Sequence, residues 1–161
     1  MRAPEPNRGG DRVKGHARRI AIDISSSVRR LSVSRARVRE AAVAVLKAER
    51  ATDAMVSITF VGRAAMSELN RRYLGHHGPT DVISFGLGRL GKRGAVIGDV
   101  YICADIAREN ARRQVVPPGE ELLRLVIHGT LHVLGHDHPT GDGRTASPMW
   151  RRQERILARV V

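Results

Sequence analysis

Four of the seven histidines in this 161-residue chain fall in one short run, His128-Gly-Thr-Leu-His132-Val-Leu-Gly135-His136-Asp137-His138. Imidazoles four residues apart on a helix leave the same face with Cβ atoms about 5–6 Å apart, so both can reach one ion. Gly135 can turn the chain out of the helix through a left-handed backbone, which brings His138 back toward the pair. Three imidazoles leave one tetrahedral position open, the arrangement of a catalytic rather than a structural zinc. His128, His132 and His138 are therefore the expected ligands of one Zn2+ per chain, with His136 as a neighbour at the wrong offset. The competing reading is a set of hydrogen-bonded core histidines. Their helix is apolar nearly all round, through Leu122, Leu123, Leu125, Val126, Ile127, Leu131, Val133 and Leu134. Such a helix is buried, and rings within it need partners to offset desolvation. A shared metal partners them all.

The spacing H-x-x-x-H-x-x-G-x-x-H is also that of a class of zinc peptidases. Those enzymes carry a glutamate directly after the first histidine as general base, whereas this chain has Gly129. A peptidase-like hydrolase thus lacks its water-activating carboxylate here. The sequence identifies no other general base or acid.

Hydrophobic patterning supplies the elements that must hold the histidines. IAIDIS (20–25), MVSITFVG (55–62), DVISF (81–85) and AVIGDVYIC (95–103) read as four strands. Residues 34–50 place Val38, Ala41, Ala42, Val45 and Leu46 on one helical stripe. Further helices are expected over 63–74 and 104–115, from about Glu120 to Leu134, and over a basic final segment at 149–160 opened by Met149 and Trp150 as core anchors. Acids at Glu120 and Glu121 suit a helix's first turn, and Gly135 suits its stop. The expected fold is α+β: a small mixed sheet of about four strands packed with helices, its metal site on a central helix and the turn after it. One domain spans 20–161. Residues 1–19, rich in Pro, Gly and Arg, read as a disordered basic tail, with a transit peptide or an over-extended start as alternatives.

Composition narrows the function. The 28 Lys and Arg against 16 Asp and Glu give a net charge of +12, which attracts polyanions irrespective of their sequence. Aromatics at 3% are too sparse for an extended base-stacking platform. A single cysteine, Cys103, excludes an intrachain disulfide framework and suits a reducing, cytoplasmic setting. No stretch approaches the roughly 20 apolar residues of a membrane span, and no signal peptide is visible. Gly86-Leu-Gly-Arg-Leu-Gly91 matches a dinucleotide fingerprint, but it leads toward another strand rather than a helix. It is expected to be a connector, with no nucleotide cofactor.

HGTLHVLGHDH (128–138), GPTDVISF (78–85) and GDVYIC (98–103) together resemble the bacterial YbeY-type rRNA maturation factors over about residues 20–160. The resemblance implies a metal-dependent endoribonuclease that cleaves single-stranded RNA. It also implies zinc on His128, His132 and His138, and roles in 16S rRNA 3′-end maturation and ribosome quality control. The family often reads Tyr-Arg-Gly ahead of its PTDV stretch; here the residues are Tyr73-Leu74-Gly75, so that arginine has no counterpart. Arg71, Arg72, Arg89, Lys92 and Arg93 are the expected RNA-phosphate contacts. Asp81, Asp99 and Asp137 either accept a hydrogen bond from the far nitrogen of a ligand ring or merely cap turns. A zinc-stabilised, ribosome-associated RNA-binding factor without catalysis is the alternative from another class.

Overall fold

The computed structural model describes residues 19–89 and 94–161. The expected tail up to Arg18 and the residues Lys92 and Arg93 lie outside the described residues. Four strands, β1 (Ile20–Ser26), β2 (Ala54–Val61), β3 (Val82–Arg89) and β4 (Val96–Cys103), form one sheet in the order β1-β2-β4-β3. β1, β2 and β4 run parallel and β3 pairs antiparallel to β4, so the sheet is mixed. The expected α+β architecture is present. β3 runs beyond the expected Phe85 to Arg89, so the first four residues of the glycine-rich fingerprint are strand rather than connector.

Strand alternation divides the sheet into two unlike faces. Ile22, Ile24, Val56, Ile58, Val96, Val100 and Ile102 turn toward the main core. There they meet α1 (Arg35–Ala48) and α4 (Pro118–Val133). The opposite face carries a smaller cluster of Val61, Ile83 and Cys103, capped by Met66 of α2 (Arg63–Leu69). α2 continues as a wider turn over Asn70–Leu74, where helix alone was expected, and Tyr73 packs edge-on against Phe85 at 5.3 Å. α3 (Ala104–Gln114) and α5 (Pro148–Val160) complete the fold.

α1 begins at Ser34, whose hydroxyl accepts from the Arg37 N–H, and buries the five residues of its expected stripe. α5 begins in the same way at Ser147, which accepts from the Trp150 N–H at 3.1 Å. Its buried stripe is Met149, Gln153, Ile156, Leu157 and Val160. That stripe contains one polar residue, and the site depends on it.

α4 lies at the centre, packed on α1, α3, α5 and strands β3 and β4. Pro118 opens it, where a missing N–H costs nothing. Its close seat on the sheet requires small residues: a Cβ on Gly129 would meet Val100 Cγ1 at 2.4 Å and Ser84 Oγ at 3.1 Å. The position after the first histidine therefore points into the sheet. A peptidase-type glutamate could not occupy it without displacing the strand beneath.

Candidate metal centre

The end of α4 is built to reverse the chain. The Gly135 N–H donates to the His132 carbonyl at 2.9 Å and the His136 N–H to the Leu131 carbonyl at 3.1 Å. This paired closure needs a left-handed residue, which Gly135 supplies with φ +91°. The Asp137 carboxylate then accepts from the His138 N–H at 2.8 Å, tightening the next turn. His138 returns to the helix as expected. One ring nitrogen from each of His128, His132 and His138 lies within 4.8 Å of the others.

The details fit a metal better than a hydrogen-bonded cluster. His128 Nε2 is 3.1 Å from His132 Nε2 and 3.4 Å from His138 Nε2. Nitrogens bound to a tetrahedral zinc at about 2.05 Å sit about 3.3 Å apart. The hydrogen-bond network fixes the tautomers. The Gln153 amide N–H donates to Glu154 at 2.9 Å, so its Oε1 is the atom facing His128 Nδ1 at 2.7 Å. His128 must therefore donate from Nδ1 and keep a lone pair on Nε2. His138 likewise donates from Nδ1 to the Pro139 carbonyl at 2.9 Å, which leaves a lone pair on its Nε2. Two lone pairs facing each other at 3.4 Å repel unless a cation stands between them. That is the arrangement metal-binding histidines adopt, with the far nitrogen held by an oxygen.

Burial favours the ligating form of His128 and His132. Desolvation pushes His128 down to about 3, with the adjoining His132, Arg144 and His138 adding to the effect against the opposing Gln153 hydrogen bond. Desolvation also lowers His132, and His138 adds to it. Neutral imidazole is the form that binds metal.

Gln153 was not among the residues singled out from the sequence. It is fully buried and ends a chain of polar contacts, because the Arg124 guanidinium holds Glu154 at 3.0 Å. Arg124 also holds Glu121 at 2.6 Å and Glu120 at 3.0 Å. The available signal was a lone glutamine in the apolar stripe of an amphipathic helix.

The three aspartates cap turns or pair elsewhere. Asp81 accepts from the Val82 N–H at 2.8 Å and from Asn110 at 3.3 Å. Asp99 points to the sheet face opposite α4 and accepts from the Ser57 hydroxyl. Asp137 binds the backbone of His138 and no ring. His136 places its Nε2 at 2.7 Å from Glu49, the residue just past α1, which also holds Arg152. Cys103 is buried on the opposite side of the sheet from α4.

Two depressions flank the rings. A cavity of about 460 Å³, partly walled by Asn110, Gln114, Arg144 and Trp150, opens beside His128. A groove of about 410 Å³ between β3 and the end of α4 is bordered by His132 and Arg89. Trp150 thus lines a cavity, whereas Met149 is the core anchor. Arg71 and Arg72 line neither depression. Arg71 is paired with Glu68 at 2.7 Å, and Arg72 lies over the Tyr73 ring, on the side of the sheet away from α4. No helix among the described residues is long and apolar enough to cross a membrane.

Comparison with known proteins agrees with this architecture. The family described as Endoribonuclease YbeY matches residues 23–161. A protein named Endoribonuclease YbeY from Syntrophus aciditrophicus is 30% identical over 141 residues, covering 86% of this chain and 88% of that protein. One of the same name from Moorella thermoacetica is 41% identical over 119 residues, covering 68% and 75%. The solution structure of TM1509 from Thermotoga maritima superposes with a TM-score of 0.57 at 28% identity, covering 86% of this chain and 88% of that one. With a match that runs from the first strand through the last helix and takes in all three converging histidines, the chain belongs to the YbeY endoribonuclease family.

Proposed function

We propose that this chain is a zinc-dependent endoribonuclease acting on single-stranded RNA, serving 16S rRNA 3′-end maturation and ribosome quality control in the cytoplasm. The observation that carries the reading is the pair of opposed Nε2 lone pairs of His128 and His138, with His132 beside them. Three ring nitrogens at this spacing suit the donor set of a three-histidine zinc with room for a further ligand. Zinc bound there supplies Lewis-acid polarisation of a phosphoryl oxygen and of water.

The chain's own residues do the rest. Gln153 and the Pro139 carbonyl hold two rings in the ligating tautomer. The cavity beside His128 and the groove beside His132 give an RNA strand a path across the rings. Arg89 borders that path, and the overall charge of +12 draws the polyanion to it. The general base is left to the substrate or to solvent. Attack by the RNA 2′-hydroxyl yields a cyclic phosphate, and attack by water a monophosphate, so analysis of product ends separates them.

The test combines metal analysis with RNA cleavage. Purified protein should hold close to one equivalent of zinc, and less than about half an equivalent of any transition metal overturns the reading. Single-stranded RNA should be cut by the wild type, but not by His132→Ala or by chelated protein. Equal cleavage by wild type and variant would assign the activity to a contaminant and leave the non-catalytic zinc-stabilised binder. Mapping 16S rRNA 3′ ends in cells depleted of the protein tests the biological role.

A further inference from the structure

The cavity beside His128 is walled by two arginines that differ in one respect. Arg124 is fully engaged, because Glu120, Glu121 and Glu154 all accept from its guanidinium. Arg144, on the loop after the third histidine, is not. Among the described residues no carboxylate pairs with it, and its Nε is the one shielded side-chain nitrogen or oxygen without a hydrogen-bond partner. Shielded donors are almost always satisfied, and leaving one unmet costs about 1–3 kcal/mol.

Arg144 is nevertheless held in place. Its guanidinium carbon lies 5.7 Å from the centre of the Trp150 ring, and the backbone N–H of Arg144 donates to the Gly141 carbonyl at 3.1 Å. The acidic groups of the cavity wall are committed elsewhere: Asp81 to Val82 and Asn110, Glu121 to Arg124. The cavity therefore presents an unneutralised cation beside His128. That cation is near enough to add to the depression of proton affinity at both His128 and His132.

We infer that Arg144 is the substrate-positioning cation of this site, taking two oxygens of an RNA phosphodiester through its Nε–H and Nη–H edge and holding the chain against the three rings. The side-on edge of a guanidinium matches two phosphate oxygens, and such a partner would satisfy the orphaned Nε. The aromatic seat on Trp150 makes the contact preorganised. The inference rests on the endoribonuclease reading for the identity of the ligand, but its test does not require turnover.

The experiment measures two quantities on zinc-loaded protein. One is equilibrium binding of a 2′-O-methyl oligoribonucleotide over a salt series, and the other is kcat/KM on single-stranded RNA. Arg144→Gln should lower the slope of log K against log salt by about 0.7, the share of one phosphate contact on a single strand. It should also lower kcat/KM about a hundredfold, with zinc content unchanged. Arg144→Lys should keep the slope and recover only part of the rate, since the ammonium retains the charge but loses the fork. An unchanged slope in Arg144→Gln overturns the inference, as does loss of zinc together with rate, which would make the residue a support of the ring cluster. A wild type that binds RNA with an Arg144-dependent slope but does not cut it would sink the endoribonuclease reading and keep the phosphate contact. Cleavage with an Arg144-independent slope would do the reverse.

Discussion

Replacing Gln153 by leucine tests whether the ring cluster is organised for a cation. Leucine keeps most of the volume in a fully buried position but removes the oxygen that accepts from His128 Nδ1 at 2.7 Å. With that oxygen gone, the metal-free protein has an escape. The His128 proton can move to Nε2, where His132 Nε2 at 3.1 Å can accept it. Metal binding needs that same lone pair. It must therefore drive the proton back to a buried Nδ1 that now lacks an acceptor, at a cost of about 1–3 kcal/mol. At about 1.4 kcal/mol per tenfold, zinc affinity should fall about 5- to 150-fold, overlapping the range found when such supporting partners are removed elsewhere. Competition against a chromophoric chelator at neutral pH measures the affinity. Melting of the metal-free variant shows that the fold persists. A folded Gln153→Leu protein with zinc affinity within about twofold of wild type would refute the reasoning, because the tautomer would then not matter.

Three further outcomes follow from the same coordinates. His128 takes a proton near 6.5 when unfolded but only at about 3 in the fold. Between those values the unfolded chain binds more protons, so this residue's contribution to stability is intact above 6.5 and is lost as pH falls through that window, by up to about 5 kcal/mol. The urea midpoint of chelated protein should therefore drop between neutral pH and pH ~4.5, and a flat or rising midpoint contradicts it. Arg124→Met strands Glu121, a 2% exposed carboxyl already raised by burial, and should cost about 3–5 kcal/mol in urea unfolding. A cost below about 1 kcal/mol would show that Glu121 is simply protonated at no penalty. Gly129→Ala sets a methyl group at 2.4 Å from Val100 Cγ1 and should cost about 1–3 kcal/mol, visible as a fall of several degrees in Tm. An unchanged Tm would mean that α4 can lift from the sheet freely.

Much of the fold was legible before any coordinates. The stripe Val38, Ala41, Ala42, Val45 and Leu46 is buried as the 3.6-residue period requires, because burial on one face leaves its mark in local spacing. Gly135 ends α4 for the same local reason, since few other residues adopt a left-handed backbone cheaply. What local spacing left open was non-local. Asp81 caps the turn at Val82 while lining the cavity beside His128, and strand alternation turns Asp99 to the sheet face opposite α4. Arg71 and Arg72 are close in sequence to the family-like stretch, yet they belong with the far face of the sheet.

The histidine triad itself belongs to the sequence: i, i+4 spacing and one glycine bring three rings together whatever surrounds them, because helix geometry acts over a few residues. Which nitrogen each ring offers, and to what, was decided only in three dimensions. The oxygen that sets the tautomer of His128 comes from Gln153, 25 positions away on another helix. The unspent cation beside the rings, Arg144, is defined by the absence of a carboxylate within its reach among the described residues. Contacts between distant segments carry no periodicity in the chain, so only packing α5 against α4 could reveal them.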